Sequence, residues 1–276
     1  MSLFEVMRPA AMRRPLLGLG MVVTAAALLT ACGSTPKEDE LNNSPEKLYA
    51  QAKEDMASGS YDRAIKTLER VEGRASGTLI AQQALLDQAY AQWRLGERTQ
   101  AITVLDRFIK LHPSSPALDY AFYLKGLINF NDNLGFLSSI SRQDMSERDQ
   151  QASRDAHQAF QQLVDQFPDS KYSPDARQRM DYIVNSLADY EVHVARYYYR
   201  RGAYVAAANR AQLALKDYPQ SPALEEALYI MAASYERVGL TQLRDDAQRV
   251  LLKNFPNTPY MKNGVRVPDR AWWQFW

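Results

Sequence analysis

The most chemically reactive side chains in this 276-residue chain are a single cysteine and three histidines. Cys32 stands in the stretch LLTACGS, at the end of an apolar run, and a lone thiol cannot form a disulfide within the chain. His112, His157 and His193 are far apart in sequence and have no cysteine partner at metal-ligand spacing. No Gly-rich phosphate loop and no Gly-x-Ser-x-Gly motif occurs. The sequence therefore predicts no catalytic residue, no metal site and no cofactor.

The residues before Cys32 indicate a secretory signal peptide. A basic region precedes an uncharged apolar run, with Arg8, Arg13 and Arg14 in the first and residues 15–29 in the second. The run is shorter than the roughly 20 residues that a membrane-spanning helix needs. It ends in Leu-Thr-Ala-Cys at residues 29–32, which resembles the lipobox of bacterial lipoproteins. The alternative is a small cysteine buried near a cleaved signal peptide.

The lipobox resemblance implies that residues 1–31 are removed and that Cys32 carries an S-diacylglyceryl group and an N-acyl group. Two or more acyl chains hold a protein firmly on a bilayer, whereas a single chain holds it only marginally. In enteric bacteria an aspartate directly after the lipidated cysteine retains a lipoprotein at the inner membrane. This chain has Gly33 at that position, which resembles an outer-membrane address. We therefore expect a lipid anchor in the outer membrane, facing the periplasm, followed by a flexible polar tether that ends at residue 45.

The charge balance restricts the partners of the mature chain. The whole chain has a formal net charge of +1, and the signal peptide contributes three arginines and one glutamate, so residues 32–276 carry −1. A nucleic-acid-binding domain usually shows an excess of positive charge, which is missing here. We expect no nucleic-acid partner.

Helical periodicity and regular spacing predict an all-α fold, a superhelical array of five tetratricopeptide-like helix-turn-helix repeats. Gly59 and Gly96 are 37 residues apart, as are Gly202 and Gly239, and each falls where one helix should end. The period is slightly longer than the usual 34 residues or so. Small residues recur seven positions before each turn and again in most second helices, at Ala52, Ala89, Gly126, Ala195 and Ala232, and at Ala64, Ala101, Ala156 and Ala207. A plain helical bundle is the alternative.

Two longer spacings divide this array. The third repeat has extra residues that fit a loop insert at about residues 134–152. Ala156 and Ala207 are 51 residues apart, 14 more than the period, which is close to four helical turns and predicts an extended helix. We therefore expect repeats one to three over residues 46–173, repeats four and five over residues 174–258, and an aromatic tail over residues 259–276.

Several stretches resemble the BamD family, tetratricopeptide lipoproteins of the machinery that assembles β-barrel proteins in the outer membrane. They are the lipobox, DRFIKLHPSSPALDYAFYLKGLINFND, SERD and FPDSKYSPDARQRMDYIVNSLADYEVHVARYYYRRGAYVAAANRAQLALKDYP. The resemblance covers about residues 48–259 and implies a scaffold, not an enzyme. It implies three kinds of protein partner: a barrel-forming subunit whose last periplasmic domain docks on the C-terminal repeats, other lipoprotein subunits, and unfolded barrel proteins whose C-terminal segments bind the N-terminal repeats.

A different function also fits the lipobox and the repeats. A generic envelope adaptor that recruits peptidoglycan enzymes would have the same anchor and the same kind of helical array.

The family resemblance implies a docking site in the fourth repeat. The arginine that matches Arg210 contacts the barrel subunit in that family, so we expect Arg210, with Asn209 and Tyr204, to bind this partner. A guanidinium can pair with a partner carboxylate through two hydrogen bonds. The alternative is a solvated arginine that contributes little. The residues expected to pack inside the same helical hairpin are Val205, Ala207, Ala208, Ala211 and Leu215.

An extended substrate peptide is predicted to bind repeats one and two. The residues expected to line that surface are Tyr61, Arg74, Gln82, Gln83, Tyr90 and Trp93. The alternative is that Tyr90 and Trp93 simply pack between helices. Family members typically have Arg-Tyr-Pro-Phe-Gly after the first hairpin, whereas this chain has Arg-Ala-Ser-Gly-Thr at residues 74–78, so the aromatic-proline turn is lost.

The C-terminal tail contains three of the four tryptophans, at Trp272, Trp273 and Trp276. Exposed aromatic rings are costly in water unless they dock or lie at a bilayer interface. We expect this tail to dock on a partner or at the membrane interface, with disorder as the alternative.

Overall fold

The computed structural model of the chain describes residues 43–130 and 150–265. Within these residues the fold consists of α-helices and contains no strand. The helices are α1 (Pro45–Ala57), α2 (Tyr61–Arg74), α3 (Leu79–Arg94), α4 (Arg98–Leu111), α5 (Leu118–Asn129), α6 (Gln150–Gln166), α7 (Ser173–Arg200), α8 (Tyr204–Asp217), α9 (Leu224–Val238), α10 (Thr241–Asn254) and α11 (Tyr260–Asn263). The predicted signal peptide, Cys32, most of the predicted tether and insert, and the predicted tail from residue 266 onwards lie outside the described residues.

Consecutive helices pack in pairs, α1 with α2, α3 with α4, α5 with α6, α7 with α8, and α9 with α10. The small residues that the spacing singled out are buried in every pair, which confirms the register of the repeats. Gly126 shows why small size matters there, because a β-carbon at this position would overlap the ring of Phe160 on α6. The all-helical array of helix-turn-helix repeats predicted from the sequence is confirmed.

Glycines end the first helices of four repeats, as predicted. Gly96 has φ of +83° and Gly239 has φ of +82°, in the left-handed region that a residue with a β-carbon adopts only at a cost. The backbone N–H of Gly96 donates to the carbonyl of Trp93 at 2.9 Å, which closes the end of α3. The chain can therefore reverse within three residues and begin α4.

A hydroxyl residue marks the start of each later repeat. In each case its side-chain oxygen accepts a hydrogen bond of 3.3–3.4 Å from the backbone N–H two residues further on, for the pairs Ser115 and Ala117, Ser170 and Tyr172, Ser221 and Ala223, and Thr258 and Tyr260. A local side-chain bond of this type fixes a turn, because it offers the backbone a partner before the helix begins. The fourth pair lies after the fifth repeat, immediately before α11.

The longest helix joins the two halves of the array. α7 has 28 residues. Ala176 and Ile183 in its first half belong to the core of the N-terminal half, whereas Val192 and Ala195 in its second half belong to the core of repeats four and five. The two cores therefore share one continuous helix, which limits how the halves can move against each other.

Candidate protein-binding surfaces

Three of the residues predicted to bind substrate lie close together at the end of α3. The rings of Tyr90 and Trp93 meet edge to face, with centroids 6.0 Å apart. The Arg94 guanidinium lies 5.2 Å from the centroid of the Tyr61 ring and donates a hydrogen bond of 2.8 Å to the Tyr90 hydroxyl. Arg94, which the sequence analysis missed, therefore connects Tyr61 on α2 to Tyr90. Tyr90 and Trp93 are partly buried against the core and partly accessible, so they combine both of the roles considered from the sequence.

The two glutamines of α3 have different neighbours. The Gln82 side-chain oxygen accepts a hydrogen bond of 2.8 Å from the Ser115 hydroxyl, at the start of the third repeat. The exposed Gln83 instead lies beside the Tyr49 hydroxyl of α1. Gln82 connects two repeats, and only Gln83 belongs to the surface that faces Tyr49.

Arg74 is engaged by the segment that precedes α1. Its Nη1 donates a hydrogen bond of 2.8 Å to the carbonyl of Asn43. The turn that follows has Gly77 at φ of +82°, and the Thr78 hydroxyl accepts from the Ala81 N–H, so a glycine and an N-cap shape this turn in the absence of an aromatic-proline pair.

A row of tyrosines along the first helices of the repeats was not predicted. We define the tyrosine row as Tyr49 on α1, Tyr90 on α3, Tyr120 and Tyr123 on α5, and Tyr172 at the N-cap of α7. The rings of Tyr123 and Tyr172 stack with centroids 4.7 Å apart, and the ring of Tyr120 lies 5.6 Å from that of Tyr172. The three-residue spacing of Tyr120 and Tyr123, which places both on one helix face, was the sequence signal that could have revealed it.

Carboxylates fix the hydroxyl ends of this row. The Tyr49 hydroxyl donates to Asp87 at 2.6 Å, and the ammonium group of Lys53 lies 3.2 Å from the same carboxylate oxygen. The Tyr123 hydroxyl donates to Asp175 at 2.7 Å, and Arg179 binds that carboxylate from the next turn of α7. Each carboxylate thus has both a tyrosine and a cation as partners.

Burial and these carboxylates change the acidity of the row. Burial, followed by the negative charge of Asp87, raises the pKa of Tyr120 to about 12. Burial and the hydrogen bond to Asp87 also raise the pKa of Tyr49. Burial alone would raise the pKa of Asp175, but hydrogen bonds from Arg179 and Tyr123 lower it below its ordinary value. At neutral pH Tyr49, Tyr120 and Tyr123 are therefore neutral phenols, and Asp175 is an ionised carboxylate paired with Arg179.

The three residues predicted to bind the barrel-forming subunit, Arg210, Asn209 and Tyr204, are brought together only in part. Arg210 donates a hydrogen bond of 2.9 Å to Glu191 on α7, so its carboxylate partner lies within the same chain. The Arg210 side chain nevertheless remains 37% exposed. Asn209 is exposed, whereas Tyr204 turns towards the helix end, where its ring lies 5.4 Å from that of Tyr199. Asn209 and Arg210 share an accessible surface, and Tyr204 lies to one side.

Val205 does not pack inside the hairpin, contrary to the expectation. It is 60% exposed, because it lies well over 90° around α8 from the buried face formed by Ala207, Ala208 and Ala211. Leu213, two turns further along, is also 38% exposed. With Asn209 between them, these residues give α8 an outward apolar stripe beside Arg210.

Neither a candidate metal site nor a membrane-spanning helix is found in the described part of the chain. It holds no group of three or more His, Cys, Asp or Glu residues that could bind a metal ion. Across residues 43–130 and 150–265, no helix is both long and apolar enough to cross a bilayer.

Comparison with known proteins identifies the family. The model of the YfiO family, described as an outer membrane lipoprotein, matches residues 41–251. The outer membrane protein assembly factor BamD of Neisseria meningitidis serogroup B is 42% identical over 261 residues, covering 93% of this chain and 98% of the relative. The proteins of the same name from Haemophilus influenzae and Xylella fastidiosa are 36% and 34% identical, and the alignments cover 86% and 88% of this chain and 90% and 84% of the relatives. Each of these relatives is described as an outer membrane protein assembly factor. The chain belongs to the BamD, or YfiO, family of outer-membrane lipoproteins.

Proposed function

We propose that this protein is a lipid-anchored scaffold of the β-barrel assembly machinery, on the periplasmic side of the outer membrane. Its N-terminal repeats bind extended segments of unfolded barrel proteins, and its C-terminal repeats hold the barrel-forming subunit through a periplasmic domain. Other lipoprotein subunits complete the complex. Membership of the BamD family, and the description of its relatives as outer membrane protein assembly factors, support the assembly role.

The tyrosine row is the observation that favours substrate binding most. It passes from α1 through α3 and α5 to the start of α7, a length that suits an extended peptide better than a compact ligand. Tyrosine offers an apolar ring with a polar end, and it loses little conformational entropy when it binds. The carboxylates beside the row are already paired with Lys53 and Arg179, so the surface does not repel a peptide that ends in a carboxylate.

The outward face of α8 supports the second binding role. Two large apolar side chains, Val205 and Leu213, are exposed there on either side of Asn209. Interfaces commonly combine such an apolar centre with arginine at its edge. Arg210 occupies that edge and keeps more than a third of its side chain accessible.

Lipidation of Cys32 provides the membrane attachment in this proposal. The lipobox supports it, and no described helix offers another means of crossing the bilayer. Mass spectrometry of the mature protein should detect Cys32 at the N-terminus with its acyl groups, and an unmodified Cys32 would exclude the anchor.

Depletion of the protein in its own organism tests the assembly role. The amount of folded outer-membrane barrel protein, measured by its altered migration in unheated gels, should fall while unfolded forms accumulate in the periplasm. Re-expression of the wild type should reverse the defect, and Cys32→Ser should not. Normal barrel assembly with altered peptidoglycan would instead favour the adaptor function.

A further inference from the structure

The array ends in the first turn of a sixth repeat. The Thr258 hydroxyl accepts from the Tyr260 N–H, as the Ser221 hydroxyl accepts from the Ala223 N–H exactly one period of 37 residues earlier. α11 therefore begins where the first helix of another repeat would begin. It stops after four residues, and Gly264 follows with φ of +75°.

A groove lies beyond this truncated helix. It has a volume of about 280 Å³ and is lined by Tyr229, Ala233 and Glu236 of α9, Arg244 and Gln248 of α10, and Met261 of α11. Its lining is mixed, because the Tyr229 ring, the alanine methyl groups and the Met261 thioether lie together with the polar side chains of Glu236, Arg244 and Gln248. Terminal repeats of such arrays usually present a polar outer face, so the ring and the thioether are the part of this surface that a covering segment could bury.

Repeat symmetry indicates which element is missing from the groove. Arg196 of α7 binds Glu226 of the following first helix, α9, through hydrogen bonds of 2.6 and 2.8 Å. Ala233 stands 37 residues after Arg196, and Asn263 stands 37 residues after Glu226. The first helix of a complete sixth repeat would therefore cross α9 at Ala233 and continue towards Glu236. α11 instead ends at Asn263, at the position where this crossing would begin.

We propose that residues 266–276 of this chain occupy the groove, with the indole rings of the tail against the Tyr229 ring, the alanine methyl groups and the Met261 thioether. The chain already approaches the site, because Gly264 lies beside the Tyr229 hydroxyl and Val265 packs against the C-terminal core. From Tyr229 to Glu236 the groove follows seven residues of helix, about 10 Å, and eleven further residues span about 16 Å as helix or about 36 Å when extended. The tail is therefore long enough in either form.

Covalent attachment favours this occupant over a separate chain. A segment joined by a short linker has an effective concentration of about millimolar, so even weak contacts keep it bound. Trp272, Trp273 and Trp276 supply large apolar surfaces, and they follow directly in the chain after the end of the array where this groove lies. The tail would cap the array, a role that does not depend on the proposed function.

Tryptophan fluorescence of the full-length protein tests the proposal. Trp93→Phe removes the only tryptophan outside the tail, so the emission then reports Trp272, Trp273 and Trp276. The native emission should be blue-shifted relative to the same protein in urea. Adding Ala233→Arg, which fills the groove, should shift the emission to the red, whereas the control Ala50→Arg on the exposed face of α1 should not.

Three results would overturn the proposal. The first is an emission wavelength of the native protein equal to that in urea. The second is a blue-shifted emission that persists in the Ala233→Arg variant and is quenched by a brominated detergent. The third is a blue shift that is lost when the protein is diluted, as expected if a second copy binds the tail. A photocrosslinker at Gln248 gives an independent readout if Ala233→Arg disturbs folding. It should yield a monomer in which position 248 is joined to the tail, and crosslinks only to another chain or to other segments would contradict the inference.

Discussion

Arg210 on α8 and Glu191 on α7 form an ion pair across the fourth repeat, with 2.9 Å between the arginine Nη1 and the glutamate Oε2. The two partners differ in accessibility, because the Glu191 side chain is 9% exposed and that of Arg210 is 37% exposed. The buried Glu191 carboxylate therefore fixes the position of the Arg210 guanidinium, and part of the guanidinium stays accessible to a partner. An arginine fixed in this way loses less side-chain entropy on binding than a solvated one.

Removing Arg210 should affect both stability and binding. Arg210→Gln leaves the Glu191 carboxylate without its cation, so we expect the free energy of unfolding to fall by about 1–2 kcal/mol, a modest loss because the pair is partly solvated. Urea titration measures this change. Co-purification of the barrel-forming subunit should be lost in the same variant.

The double variant Arg210→Gln with Glu191→Gln separates the two effects. It replaces the ion pair by two neutral amides and should recover most of the lost stability, because no charge stays buried alone. Binding of the barrel-forming subunit should remain lost. If the double variant binds normally, Arg210 acts only through the fold and does not contact the partner.

The buried ion pair between the fourth and fifth repeats should contribute more to stability. Glu226 accepts two hydrogen bonds from Arg196 and one of 3.2 Å from the Tyr260 hydroxyl. Arg196→Ala should lower the free energy of unfolding by about 3 kcal/mol, because it leaves a buried carboxylate without its cation. Arg249→Ala, which removes an arginine that is 75% exposed, is the matched control and should cost less than about 0.5 kcal/mol. Equal losses in the two variants would show that Glu226 is solvated.

Tyr90 should matter for peptide binding more than for folding. Tyr90→Ala removes one ring of the tyrosine row, and we expect about tenfold weaker binding of a peptide from the C-terminus of a barrel protein. Tyr182→Ala, which removes an exposed tyrosine outside the row, should bind as the wild type does. Fluorescence anisotropy of the labelled peptide measures both. Crosslinking of the same peptide should label residues 49–111 and continue along the row onto α5, and labelling confined to repeats four and five would place the substrate elsewhere.

The raised pKa values of two tyrosines predict a loss of stability at high pH. Burial raises the pKa of Tyr120 to about 12, and burial with the negative charge of Glu226 raises that of Tyr260 to about 12, from an ordinary value of 10.0. Because both pKa values are raised by folding, the stability that the neutral phenols provide is fully present below about pH 10 and is lost as the pH rises towards 12. Ultraviolet titration should show late-ionising tyrosines, fewer of them in Tyr120→Phe. If all tyrosines ionise near pH 10 while the protein is folded, this account of the row is wrong.

The repeats were predictable because they depend on local rules. A turn glycine such as Gly96 and a small residue such as Ala89 can be recognised from spacing, since left-handed backbone and close helix contact admit few other side chains. The hydrogen-bonded pairs between repeats could not be recognised in this way. Tyr49 and Asp87 are 38 residues apart, and many other carboxylates occur at similar distances along the sequence.

One error and one omission on α8 show the same limit. Val205 was assigned to the core because it is apolar, but its position around the helix turns it outwards. The ion pair between Arg210 and Glu191 was not foreseen, because nothing in the sequence connects Arg210 with this residue on the preceding helix. Side-chain direction and the pairing of charges depend on how helices pack, which a single sequence does not specify.

Co-purification from the native membrane tests the central claim most directly. The tagged wild-type protein should be extracted from outer membranes in mild detergent, and its partners identified by mass spectrometry, with Arg210→Gln/Glu191→Gln as the matched variant. We predict that the wild type brings down the barrel-forming subunit and other lipoproteins of the assembly machinery, and that the double variant loses the barrel-forming subunit. Recovery of peptidoglycan enzymes without any barrel-forming subunit would contradict the assembly role.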